Sequence, residues 1–119
     1  MSSGIAGQGG AQALDVLVFC VPRESTDDVL AAVFQAGAGS IGDYEHCAFV
    51  ADGVGQFRPI RDARPVIGQL GNLEHVPEHR VEVVLPRPLR AAVVAALLEA
   101  HPYDVPAYHV LETATLDRS

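Results

Sequence analysis

The sequence contains no lysine, and its positive charge comes from eight arginines set against fifteen aspartates and glutamates. The formal charge of −7 argues against a nucleic acid as partner, because nucleic-acid phosphates are bound by a basic surface. Anionic membrane surfaces attract basic segments for the same reason. We therefore expect the protein to bind neither nucleic acids nor membranes.

Long apolar runs and cysteines are also scarce. The longest uncharged apolar run in the second half of the chain covers residues 91–98, whereas a membrane span needs about 20 residues. Residues 1–13 lack the basic and apolar regions of a signal peptide and are expected to form a mobile tail, and residues 113–119 a short C-terminal tail. Cys20 and Cys47 lie in apolar segments and are expected to be free thiols in a reducing, cytoplasmic environment.

Two copies of one strand–helix pattern make up most of the chain. LVFCVPR at residues 17–23 aligns with VEVVLPR at residues 81–87, at a constant offset of 64. Each copy continues into an apolar stripe at helical spacing and then into a second apolar strand. Two such β-α-β halves predict one ferredoxin-like α+β domain over residues 14–112, a β-α-β-β-α-β sandwich with both helices on one face of an antiparallel sheet.

Residues 52–79, between the two halves, are rich in glycine and proline and show no helical period. We interpret them as a long loop between the second and third strands, with room for a short hairpin. Loops of this length in a compact domain are usually functional or contact a partner.

The predicted strands are apolar on both sides, so one face of the sheet needs a cover beyond the two helices. A second subunit is the expected cover. On this interpretation the following six strand residues cannot all face the helices: Leu17, Phe19, Val21, Val81, Val83 and Leu85.

Three motifs carry a family resemblance: GAGSIGDYEHC at residues 37–47, GQFRP at residues 55–59 and HPYDVPAY at residues 101–108. With them, the chain from about Leu14 to Leu111 resembles the small stand-alone YqfO-like family, whose module also occurs as an insert in the larger Nif-three-like proteins. The resemblance implies a CutA-like and PII-like version of the ferredoxin-like fold and a homotrimer with its sheets facing the threefold axis. It implies no settled activity, since CutA-like relatives are linked with divalent-cation tolerance and PII-like relatives bind nucleotides between subunits.

The glycine-rich sequence Gly55, Gln56, Phe57 and Arg58 is the best candidate for ligand binding. Glycine lets backbone N–H groups turn toward an anion, and an arginine guanidinium binds anions with two donors. His101 and Tyr103 join this set if they line a pocket between subunits. The alternative is that the arginines of this segment pair with neighbouring carboxylates.

A second candidate is a metal site formed by His46, Cys47 and His101, because imidazole and thiolate suit borderline metals. On a regular strand over residues 46–54 the first two side chains would point to opposite faces, which leaves a structural role open for both. His75 and His79 are expected to belong to a solvated acidic rim.

These residues and the family resemblance lead to three alternative functions. The first is a non-enzymatic, regulatory trimer that binds a nucleotide or another anion at subunit clefts. The second is a protein that handles a divalent metal, as CutA-like relatives do. The third is a part of a metal-dependent hydrolase system. No nucleophilic triad is apparent in the sequence, because Ser25 and Thr26 are expected to cap a helix.

Overall fold

The computed structural model describes residues 12–114, which form a four-stranded antiparallel sheet with two helices on one face. Among these residues no helix is long and apolar enough to cross a membrane. The tails predicted over residues 1–13 and 113–119 lie almost entirely outside the described part. The elements in chain order are β1 Leu14–Pro22, α1 Thr26–Gln35, β2 Phe49–Phe57, β3 Glu74–Pro86, α2 Arg90–Ala100 and β4 Tyr108–Glu112.

The strands are arranged in the order β2-β3-β1-β4, and each neighbouring pair is antiparallel. The predicted α+β ferredoxin-like fold is confirmed. The internal repeat is also visible: Pro22 and Pro86 end β1 and β3, and each is followed by a 3-10 turn that leads directly into a helix. Proline lacks the N–H that would continue the strand ladder, so the strand ends at the same point in both halves.

One apolar core lies between the helices and the sheet. It forms because the helices present residues at helical spacing and the central strands present alternate residues. The fully or almost fully buried members are Val29, Val33, Val93 and Leu97 of the helices and Leu17, Phe19, Val21, Val81, Val83 and Leu85 of the strands.

The prediction that the six strand residues cannot all face the helices is wrong. The antiparallel register places Leu17 opposite Val83 and Phe19 opposite Val81, so the odd-numbered residues of both strands share one face. Alternation then sends only the even-numbered residues to the second face.

The second face of the sheet is mixed rather than wholly apolar. Phe49 and Leu111 are exposed on it, Val18 is buried, and Arg80 lies 3.5 Å from Glu82 in an ion pair. Charged side chains therefore interrupt the apolar surface that the sequence predicts.

The segment predicted as a long loop over residues 52–79 is mostly a hairpin. β2 and β3 pair from Phe49 opposite Glu82 to Phe57 opposite Glu74, so the connecting loop covers only residues 58–73. β3 pairs with β1 only from Glu78 onward, and its first residues extend past the end of β1.

A buried ion-pair network fastens the start of α2 to the sheet. The Asp15 side chain is fully buried and accepts hydrogen bonds from Nε of Arg87, at 2.8 Å, and from Nε of Arg90, at 2.7 Å. Arg90 also binds Glu112 of β4, at 2.6 Å. The hydrogen bond from Arg90, supported by that from Arg87, holds the pKa of Asp15 below its ordinary value despite the burial.

Candidate functional site

A cleft of about 430 Å³ opens beside the outer part of the hairpin. Its floor is formed by Cys20, Gly55, Phe57 and Glu78, which the strand register places on the second face of the sheet. One wall is the loop after β2 and the other is the turn before β4. The wall residues include Arg58, Pro59, Ala63, Pro65, Val66 and Ile67 of the loop, and Tyr103, Asp104, Val105 and Ala107 of the turn.

Glu78 lies in the floor of this cleft, and the residue as a whole is only 7% exposed. The hydroxyl of Tyr103 donates to its Oε2 at 2.8 Å. Gly55 makes room for it, because a Cβ added at Gly55 would overlap the Glu78 carboxylate. Within residues 12–114, no arginine or histidine side chain lies within 4.0 Å of this carboxylate.

A short chain of hydrogen bonds positions Tyr103. Its backbone N–H donates to Nδ1 of His101 at 3.1 Å, so Nδ1 carries no proton. Nε2 of His101 must then carry the proton, and it donates to the carbonyl oxygen of Cys20 at 2.7 Å. Burial lowers the pKa of His101, against the opposing effects of the Cys20 carbonyl and Glu78, which agrees with a neutral ring.

The phenol of Tyr103 and the thiol of Cys20 are both held in their neutral forms. Burial raises the pKa of Tyr103, and the hydrogen bond to Glu78 adds to the effect. Burial also raises the pKa of Cys20, with a further contribution from the charge of Glu78. The floor of the cleft thus combines neutral groups with one buried carboxylate.

The two walls are tied to each other and to the floor. The backbone N–H of Arg64 donates to Oδ2 of Asp104 at 3.2 Å, which connects the loop to the turn. The rings of Phe57 and Tyr103 meet edge to face with centroids 5.8 Å apart. Arg61, in the same loop, has a positive φ of 51°, an uncommon conformation for a residue other than glycine.

The predicted ligand-binding residues are brought together. Gly55, Gln56, Phe57, Arg58 and Tyr103 all line this one cleft. His101 is not among the lining residues. It accepts a hydrogen bond from the backbone N–H of Tyr103 and so helps to position that residue.

The predicted positions of His46 and Cys47 on a strand are wrong, because β2 begins only at Phe49. His46 has a positive φ of 59°, is exposed and stacks on Phe34 with ring centroids 4.8 Å apart. The backbone N–H of Cys47 donates to the carbonyl oxygen of Gly39 at 2.8 Å. Both residues therefore belong to the loop that leads from α1 to β2.

The predicted metal site is not assembled. Within the described residues, no three histidine, cysteine, aspartate or glutamate side chains converge in a way that could hold an ion. Both ring nitrogens of His101 already form hydrogen bonds, so it would have to give one up to bind a metal. His46, Cys47 and His101 therefore do not form a common ligand set.

A hydroxyl, an imidazole and a carboxylate form an unexpected row next to α1. Oγ1 of Thr26 lies 2.8 Å from Nδ1 of His79, and Nε2 of His79 lies 3.1 Å from Asp52, which also binds Arg23. Thr26 is only 4% exposed, so its hydroxyl is not open to a substrate. The row joins the hairpin to the start of α1, and the predicted solvated rim at His79 is wrong.

Glu78 is the site residue that sequence reasoning missed. The interpretation of residues 75–79 as a solvated rim treated its carboxylate as exposed. Val76 and Glu78 alternate with exposed neighbours along β3, and both are buried. That alternation was the available signal, but a buried glutamate is rare enough that period alone does not predict one.

Comparison with known proteins gives sequence relatives and, separately, solved structures that share the fold. The chain is 52% identical over 101 residues to the Mycobacterium tuberculosis protein named GTP cyclohydrolase 1 type 2 homolog, and 45% identical over 97 residues to the Bacillus subtilis protein of that name. A solved Bacillus cereus protein related to NIF3 matches 90% of this chain and 27% of its own, at 36% identity and a TM-score of 0.73. The chain therefore matches one segment of these Nif3-like and YqfO-like proteins.

The chain corresponds to only part of these relatives. The matches cover 85% of the chain but 27% of the mycobacterial protein, and 82% of the chain but 26% of the Bacillus subtilis protein. No family model matches the chain. CutA1 from Pyrococcus horikoshii matches 87% of this chain and 86% of its own, at 17% identity and a TM-score of 0.63, which shows a shared fold.

Proposed function

We propose that the chain is a non-enzymatic, regulatory module that binds a small ligand, a nucleotide, in the cleft between the hairpin loop and the turn before β4. The observation that carries the proposal is that five of the six residues selected from sequence, Gly55, Gln56, Phe57, Arg58 and Tyr103, line this one cleft. Its volume lies within the range of about 300–1,000 Å³ that is typical of small-molecule sites.

The chemistry of the walls favours a nucleotide over a small inorganic anion. Most of the lining is apolar or aromatic and suits a flat ring, while Arg58 offers a guanidinium to a phosphate. The carboxylates of Glu78 and Asp104 also line the cleft and would repel a ligand that is anionic throughout. A molecule with a neutral ring at one end and phosphates at the other can place its ring near these carboxylates and its phosphates near Arg58.

The relatives' names agree with this ligand class, since they refer to GTP. The chain covers about a quarter of those proteins, so the named activity is not carried over to it. The divalent-metal alternative has no ligand cluster to support it within residues 12–114. A hydrolase would need an accessible nucleophile or a metal, and the buried hydroxyl of Thr26 supplies neither.

We further propose that three copies assemble through the second face of the sheet. Phe49 and Leu111 leave apolar surface exposed there, at 67% and 51%. The fold shared with CutA proteins is compatible with such an assembly.

A thermal-shift titration tests the ligand proposal. GTP, ATP and inorganic phosphate at millimolar concentration are added to the wild type and to Arg58→Gln and Arg61→Gln. We expect the nucleotides to raise the Tm of the wild type and of Arg61→Gln, because a ligand that binds only the folded state stabilises it. Arg58→Gln should reduce the shift. If no nucleotide raises the Tm of the wild type, the proposed function is wrong.

A further inference from the structure

The floor of the cleft contains an incompletely satisfied acceptor. Only 7% of the surface of Glu78 is exposed. Among the side chains of the described residues, Tyr103 alone donates a hydrogen bond to its carboxylate, and that bond goes to Oε2. A carboxylate offers about four acceptor positions. Burying a charge with so few hydrogen-bond partners costs folding free energy. Buried polar groups in native proteins usually have a hydrogen-bond partner, so this carboxylate calls for one.

The local structure holds this carboxylate in the floor of the cleft. Tyr103 fixes one oxygen, and the missing side chain of Gly55 leaves the space that the carboxylate occupies. His101 holds Tyr103 in place through its backbone. Three residues therefore keep Glu78 in position before any ligand arrives, as a preorganised binding site requires.

The carboxylate selects the ring that can bind it. Two parallel N–H donors match two carboxylate oxygens, as in an arginine–carboxylate pair. Guanine carries such a pair in its ring N1–H and its 2-amino group. Adenine has no ring N–H on that edge, and the ring N–H of uracil lies between two carbonyl oxygens that a carboxylate repels.

We propose that Glu78 makes the cleft selective for a guanine ring, whose N1–H and 2-amino group donate to the carboxylate while the ring packs between the apolar walls. This inference rests on the proposed function and specifies its ligand. The phosphates would then lie toward Arg58 at the wall. Glu78 acts here as a specificity-determining residue.

Calorimetric titration of the full chain with GTP, ITP and ATP tests the base preference without any variant. ITP differs from GTP only in lacking the 2-amino group. We expect GTP to bind at least about tenfold more tightly than ATP, with ITP in between, since each good hydrogen bond to a charged group is worth roughly such a factor. Equal affinities for GTP and ATP would overturn the guanine inference and leave the proposed function intact.

Glu78→Gln tests the residue, with Glu82→Gln, four residues along the same face of β3, as the matched control. Glu78→Gln should lose at least about tenfold in GTP affinity, and Glu82→Gln should bind like the wild type. Without ligand, Glu78→Gln should melt at the same or a higher temperature, because a buried charge with one partner is removed. Wild-type GTP affinity in Glu78→Gln, or a lower Tm without ligand, would assign Glu78 a structural role. Failure of every nucleotide to bind the wild type would overturn the proposed function and this inference together.

Discussion

Among residues 12–114, the carboxylates of Asp15 and Glu78 are withdrawn from water, and their surroundings differ. Asp15 is fully buried and receives hydrogen bonds from two guanidinium groups, Arg87 and Arg90. Glu78 is almost as buried and receives one, from the phenol of Tyr103. The first arrangement compensates the buried charge within the fold, whereas the second leaves an acceptor for a partner.

Asp15→Asn should therefore destabilise the fold by on the order of 2 kcal/mol, because two arginines lose a charged acceptor while remaining partly exposed to solvent. The pKa of Asp15 is lowered from its ordinary 3.8, so its stabilising effect is complete above that value and is lost as the pH falls through the folded-state pKa. Urea unfolding at neutral pH and near pH 3 measures both effects. Asp62→Asn, at an exposed loop position, is the control. An equal loss of stability in Asp15→Asn at both pH values would contradict the role of its charge.

Tyr103→Phe should lower the free energy of unfolding by about 1 kcal/mol, because the carboxylate of Glu78 loses its hydrogen-bond donor. The pKa of Tyr103 is raised, so this contribution is present below the ordinary value of 10.0 and is lost as the pH rises through the higher folded-state pKa. An ultraviolet titration of the three tyrosines should show one late phenolate step that Tyr103→Phe removes. If the late step persists in the variant, the buried hydroxyl belongs to another tyrosine.

At the scale of the elements, the hairpin of β2 and β3 builds the floor of the cleft and depends on glycine at one position. Gly55 and Gly53 are two residues apart on the same strand and face. A Cβ at Gly55 would overlap Glu78, whereas a Cβ at Gly53 meets nothing within 4 Å. Substitution of Gly53 is therefore a matched control for substitution of Gly55.

Gly55→Ala should lower stability by about 1–3 kcal/mol and abolish nucleotide binding, because the Glu78 carboxylate must move into the cleft. Gly53→Ala should be neutral or stabilising by up to about 1 kcal/mol, since alanine loses less backbone entropy than glycine. Chemical denaturation and nucleotide titration of both variants provide the measurement. Similar behaviour of the two would mean that the contact with Glu78 does not constrain the strand.

The same hairpin shows where sequence prediction reaches its limit. β1 and both helices follow from hydrophobic period. The strand side of the core does not, because it depends on the register that places Leu17 opposite Val83, which neither strand shows by itself. β2 and the start of β3 contain Gly53, Gly55 and Pro77, which are typical of loops. Pro77 is tolerated because β3 has a neighbour on only one side there. The ligand motif around Gly55 was predictable from its residue types, while Glu78 was not, since its burial depends on Tyr103, 25 residues away in sequence.

At the scale of the whole molecule, the second face of the sheet is the surface through which we propose that copies of the chain assemble. It carries exposed apolar side chains at its edges, Phe49 and Leu111, and an ion pair between Arg80 and Glu82 near its middle. A face of this kind, apolar but interrupted by charge, suits contact with another copy of the chain in a defined register. The other layer has no comparable need, because the helices bury their apolar stripes against the sheet.

Light scattering on dilute, tag-free protein should give a mass three times the 12.6 kDa of one chain. Phe49→Glu should dissociate the assembly, because it places a charge at an interface where each buried apolar side chain contributes about 2 kcal/mol. Leu98→Glu, which alters an exposed position on α2 in the helix layer, should leave the mass unchanged. A stable wild-type monomer would show that the second face remains exposed to solvent and is not an interface. A dimer would contradict the threefold arrangement but would still be consistent with assembly through this face. If Leu98→Glu dissociates the assembly and Phe49→Glu does not, the copies meet through their helices instead.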